Sequence, residues 1–193
     1  MSLSATTTSR FKIIDYPDAS PEVKAIYDES MRDMGVPFVL NWFKCQGSNA
    51  TLLRGNWSKL KSTMLMGDVP FVLKQLIIYN ISKAKGCTYC AQAHGIIADS
   101  LSETLTGDAS VKLTENLESN FIPQSYKVAL AVVTKAALHP QQLADNDFED
   151  LRDEGYSELE IQELMALADL TNMLNTIADI SGIKIDNELM ETK

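Results

Sequence analysis

Residues 85–100 read KGCTYCAQAHGIIADS, which sets two of the chain's three cysteines and one of its two histidines in the pattern C-x-x-C-x-x-x-H. Gly86 breaks the preceding run, and a new helix is expected to begin near Cys87. On that helix Cys87, Cys90, His94, Ile97 and Leu101 fall on one stripe, at steps of three and four residues. Cysteines three apart at a helix start are within reach of bridging. His94 stands one turn beyond Cys90, near enough to take or give its proton. Thiols at a helix N-terminus also meet free N–H groups and the positive end of the helix dipole, which favour thiolate. The spacing therefore supplies an activated thiol, a resolving thiol and an acid–base group.

Other chemistry fits the same residues. Cys87, Cys90 and His94 are all zinc-ligand types, and three such ligands make an open catalytic site. A closed structural site needs a fourth ligand, for which the candidates are Cys45 and His139, and neither lies in a second paired motif. A third reading takes the cysteines as small core residues on an apolar helix face. Dithiol redox ranks ahead of zinc, and both rank ahead of plain packing.

The surrounding signals are helical. From Pro70 to about Lys85, apolar residues lie nearly all round the wheel (Phe71, Val72, Leu73, Leu76, Ile77, Ile78, Ile81), which predicts a central, buried helix. Lys74, Gln75, Ser82 and Lys85 share one sector of it. Upstream, Ser20 caps a helix with Pro21 in its first turn, Val23, Ile26, Tyr27 and Met31 recur at helical spacing, and Gly35 ends it. Asn49 opens a further helix that Gly67 closes. Downstream, Pro123 starts a helix, Asp145 caps another that ends at Gly155, and Ser157 with Glu160 forms an S-x-x-E capping box. The last helix continues from near Leu170 to Ser181, Gly182 stops it, and the tail NELMETK is expected to fray. Only FKIID, residues 11–15, reads as extended. The class is all-α. VPFVLKQLIIYNISKAK and IPQSYKVALAVVTKAAL share a proline, a lysine four residues later and a similar apolar pattern, so the bundle could contain a duplicated helical unit.

With 193 residues, 45% hydrophobic and 22% charged, the chain is long enough for one well-buried core. A single domain over 1–193 is expected, with an N-terminal extension at 1–20, the core motif at 70–101 and C-terminal helices at 123–182. A net charge of −9 and a pI near 4.7 repel phosphate backbones and anionic lipid, which argues against nucleic-acid and membrane partners. No apolar run approaches the roughly 18 residues of a membrane helix, and MSLSATTTSRFK lacks the apolar region of a secretory signal. A cytoplasmic, reducing setting follows, in which C-x-x-C is catalytic or metal-binding rather than a structural bridge. Cys45, Trp42 and Trp57 read as core, His139 as a helix-end residue and DNDFEDLRDEG as a solvated acidic face. No phosphate-cradling glycine loop and no G-x-S-x-G is present.

The run KQLIIYNISKAKGCTYCAQAH resembles the core motif of the alkylhydroperoxidase D (AhpD)-like group within the carboxymuconolactone decarboxylase superfamily: a glutamate, eleven residues, C-x-x-C, three residues and a histidine. YPDASPEVKAIYDE near the start, a VP segment and DLRDEGYSELEIQEL…LTNMLNTIAD near the end are similar to its peroxidase-related members, so the likeness covers most of the chain. The resemblance implies an all-α AhpD-like bundle that assembles as a trimer or hexamer. It implies a site in which Cys90 attacks the peroxide, Cys87 resolves it and His94 shuttles protons. No cofactor or metal is implied, and the electrons would come from an external thiol or dithiol reductant. The chain departs from the motif at one place: twelve residues before Cys87, where the relay glutamate belongs, stands Gln75. Glutamine can orient an imidazole or a water by hydrogen bonds but cannot accept a proton as a base. The expected function is thus a thiol-dependent hydroperoxidase or disulfide oxidoreductase. The alternatives are a carboxymuconolactone-decarboxylase-type enzyme, which would not need the cysteine pair, and a non-catalytic zinc-binding or redox-sensing module.

Overall fold

A computed structural model describes residues 9–191. Among the described residues there is no strand, and the chain is helical as expected. FKIID forms no strand and runs irregularly, with the Ile14 N–H donating to the Lys44 carbonyl at 3.1 Å. No helix among the described residues is long and apolar enough to cross a membrane. The chain divides into two compact units, one built from the residues up to Ser58 and those from Thr176, the other from Lys59–Asn175.

In the first unit, α1 (Pro21–Met34) starts where the Ser20 hydroxyl accepts from the Val23 N–H at 3.3 Å and ends at Gly35, which takes the left-handed conformation with φ 68°. It buries Val23, Ile26 and Tyr27. The short α2 (Asn41–Lys44) buries Trp42 and Phe43, and Phe43 lies edge-on to Trp57 of α3 (Ala50–Leu60) with ring centroids 5.6 Å apart. The expected core roles of Cys45, Trp42 and Trp57 hold, since each is at most 3% exposed. The tail departs from expectation. The Asp186 carboxylate accepts from the Asn41 N–H at 2.7 Å, and Leu189 is buried in a final helix, α10 (Asn187–Glu191). Tertiary contacts thus order residues that composition alone leaves free; the last two residues of the tail lie outside the described range.

The second unit holds the motif. Past Leu60 the helix widens into a π-helical turn, Lys61–Leu65, before Gly67. Then α4 (Phe71–Lys85) follows Pro70 and packs chiefly against α5 (Thr88–Ser100) and α7 (Gln124–Leu138). A short α6 (Ser102–Thr106), not foreseen from the sequence, precedes a turn-rich stretch up to Pro123. Thr114 ties that stretch down: its N–H and hydroxyl donate to the Asp99 carboxylate, and its carbonyl accepts from the Tyr79 hydroxyl. The helix α8 (Asp145–Asp153) begins one residue earlier than a cap at Asp145 requires. Its N-cap is Ala144, whose N–H donates to the Asp147 carboxylate at 2.7 Å, so the carboxylate acts from inside the first turn. The capping box at Ser157 and Glu160 is formed, and opens the long α9 (Glu158–Ser181).

Candidate active site

Gly86 decides where the first cysteine stands. It ends α4 in the left-handed conformation, φ 75°. Its N–H donates to the Lys83 carbonyl at 3.2 Å and the Cys87 N–H donates to the Ser82 carbonyl at 2.9 Å, the paired bonds of a Schellman turn. Cys87 therefore closes α4 and caps α5 at once. The helix expected to begin near Cys87 begins with it as N-cap, and Cys90 falls in the first turn. The N–H groups gathered at a helix start favour an anion. Cys87, Cys90 and Cys45 are unbridged and buried.

The Cys87 sulfur donates to the main-chain carbonyl of Asn175, on α9, at 3.9 Å. The Asn175 amide oxygen in turn accepts from the Ser82 hydroxyl at 2.8 Å. All three residues are fully buried. One turn past Cys90, His94 meets Gln75 of α4, with Nδ1 and Oε1 2.7 Å apart. Gln75 is fully buried, whereas His94 keeps part of its surface accessible. With the amide oxygen facing the ring, Nδ1 carries the ring proton and Nε2 holds the free lone pair. Burial pushes the His94 pKa down to about 4, so the imidazole is neutral near pH 7. The structure thus brings Gln75 to the position at which a relay glutamate is expected, against His94.

Two buried neighbours of Cys87 went unforeseen. Ser82 was readable as polar on α4 but not as a partner of α9, and Asn175 carries no motif at all. The signal that marks them is tertiary. The Gln75 Nε2 and Asn175 Nδ2 atoms are both buried without a hydrogen-bond partner among the described residues. Each such donor costs about 1–3 kcal/mol. Gln75 holds His94 through its amide oxygen, and Asn175 holds Ser82 through its own. The polar sector read on α4 splits: Lys74, Gln75 and Ser82 are buried, while Lys85 is exposed and donates to the Asn172 amide oxygen at 2.5 Å. His139, a spare zinc candidate in the sequence, is the exposed C-cap of α7. Among the described residues no group of three or more His, Cys, Asp or Glu side chains is gathered in a way that could hold a metal ion.

No family model matches the sequence, and no curated protein does. Solved structures do. The alkylhydroperoxidase AhpD core of an uncharacterized peroxidase-related protein from Ralstonia eutropha JMP134 superposes with a TM-score of 0.81 at 22% identity, over 96% of each chain. An uncharacterized peroxidase-related protein from Silicibacter sp. TM1040 gives a TM-score of 0.77 at 22% identity, over 97% of this chain and 98% of that one. A cysteine-to-alanine variant of the debrominase Bmp8, in complex with 2,3,4-tribromopyrrole, gives 0.71 at 21% identity, over 97% and 95%. The chain has the all-helical AhpD-like fold that these proteins share.

Proposed function

We propose that the chain is a thiol-dependent hydroperoxidase. Cys90 attacks the outer peroxide oxygen and becomes a sulfenic acid while the alcohol leaves. Cys87 then attacks the Cys90 sulfur, water leaves, and a disulfide remains. An external dithiol reduces it, so two electrons pass from that dithiol to the peroxide in each cycle. His94, neutral and held by Gln75, takes the Cys90 proton at Nε2 and returns it to the leaving alkoxide. The observation that carries this reading is the arrangement at the head of α5: a cysteine at the N-cap, a second in the first turn, and a half-buried, hydrogen-bonded imidazole one turn on. By the family resemblance the working form is a homo-oligomer, trimeric or hexameric.

The test is titration of the reduced chain with a hydroperoxide, followed by peptide mass spectrometry. One equivalent should remove two hydrogens from the peptide containing Cys87 and Cys90. Thiols that stay free throughout reject the proposal. A parallel titration with a polyhalogenated pyrrole asks whether the dithiol serves dehalogenation instead. Turnover of a lactone or β-keto acid that survives replacement of both cysteines by serine would favour decarboxylase-type chemistry. About one zinc per chain after chelator-free purification would favour the binding module.

A further inference from the structure

The two thiols are chemically alike, yet their surroundings are not. Cys90 sits where the N–H groups of the α5 start gather. The Cys87 sulfur faces a carbonyl oxygen, a contact that only a protonated thiol can make as donor. Three hydrogen bonds close a ring behind it: Cys87 N–H to Ser82 carbonyl, Ser82 hydroxyl to Asn175 amide oxygen, and Cys87 sulfur to Asn175 carbonyl. All three residues are shut off from solvent, so no water competes for these contacts. The Asn175 Nδ2 donor has no hydrogen-bond partner among the described residues, so the amide is held through its oxygen alone.

We propose that Ser82 and Asn175 are positioning residues for the resolving step: they hold Cys87 as a protonated thiol while Cys90 reacts, and fix its sulfur for attack on the oxidised Cys90. The inference rests on the assignment of Cys90 as the attacking thiol. Its chemistry balances without a further reagent. The Cys87 proton leaves with the departing group, the sulfur–sulfur bond forms as the bond from Cys90 to that group breaks, and Cys90 is reduced from its activated state as Cys87 is oxidised.

The experiment uses 2,2′-dithiodipyridine, which separates the two steps without any peroxide. Attack by the first thiol releases one thiopyridone and leaves a mixed disulfide; attack by the second releases another and closes the protein disulfide. In the native chain the first release should map to Cys90, and Cys87→Ser should abolish the second. Ser82→Ala and Asn175→Leu should leave the first release within about twofold and slow the second at least tenfold, with Ser82→Thr restoring it. Melting temperatures identify any variant that fails to fold, and the milder Ser82→Ala then decides. Equal slowing of both releases, or a second release at the native rate in Ser82→Ala, overturns the inference and leaves the cysteine assignment standing. A first mixed disulfide at Cys87 overturns both. A chain inert to hydroperoxide that still shows the split in releases supports the positioning role and removes only the peroxidase reading.

Discussion

Gln75 is neutral, and this limits what His94 can be. A carboxylate beside the ring would favour imidazolium; an amide does not, and burial then drives the His94 pKa down to about 4. A ring held this way is neutral and carries no positive charge near pH 7. Gln75→Glu should therefore raise the His94 pKa, and the imidazolium so favoured should speed the reaction of Cys90 with hydroperoxide near neutral pH. Imidazole titration by NMR and single-turnover thiol kinetics check this. A folded variant with unchanged His94 titration would contradict it. Gln75→Leu leaves the ring N–H without its acceptor and should cost about 1–3 kcal/mol of stability. The same burial makes folding pH-dependent. His94 titrates near 4 in the folded chain and near about 6.5 when unfolded. The unfolded chain thus binds the proton first as pH falls, and the stability from the neutral ring is complete above the unfolded value and lost on the way down to the folded one. Denaturant unfolding at neutral pH and near 4 should show that loss, and His94→Gln should shrink it.

Helix signals carried most of the fold because the caps are local. Ser20 with Pro21, Gly35, Gly86, and Ser157 with Glu160 act within a few residues of themselves, so sequence reveals them. What escaped depends on distant partners. The π-helical turn before α4 is held by a clamp from two other elements. Lys74 donates to the Thr63 and Met66 carbonyls and pairs with Glu163 at 3.5 Å. The Glu163 carboxylate also accepts from the N–H groups of Asp68 and Val69. Burial alone would raise the Glu163 pKa, but those N–H groups and Lys74 hold it below the usual value. No pattern on α4 distinguishes this lysine, 2% exposed, from a solvated one. The same lack of local signal hid Asn175 and the ordered tail, whereas C-x-x-C-x-x-x-H and the Gln75 position were legible because they lie within one helix pair. Lys74→Met should remove the clamp and leave Glu163 without its cation, costing about 3–5 kcal/mol. Because Gln75 follows Lys74 directly, the variant should also loosen the contact to His94, visible as a rise of its pKa toward the ordinary range. A variant as stable as the parent in urea would refute the clamp.

Over the whole chain, three thiols share one sequence and are all buried, so exposure alone does not say which can react. The groups around each sulfur do. Burial pushes the Cys45 thiol up to about 11, although contacts with Ser181 and its own backbone pull the other way. At neutral pH its thiolate fraction is then on the order of one in ten thousand, and the thiolate is the reactive form. Its sulfur also donates to the Trp42 carbonyl at 3.3 Å, a contact that keeps the proton in place. Nothing comparable to the gathered N–H groups at the start of α5 serves it, because Cys45 follows the last residue of α2, where carbonyl groups collect. Oxidation should accordingly take Cys87 and Cys90 and spare Cys45. Cys45→Ser keeps a donor of similar size for the Trp42 carbonyl, so it should fold with a loss of no more than about 1–2 kcal/mol and oxidise at the parental rate. Cys87→Ser or Cys90→Ser should each abolish the intramolecular disulfide. Mass mapping of the oxidised parent and these variants checks the set. A bridge involving Cys45, within or between chains, would mean that its raised pKa and its carbonyl contact do not keep that thiol from reacting.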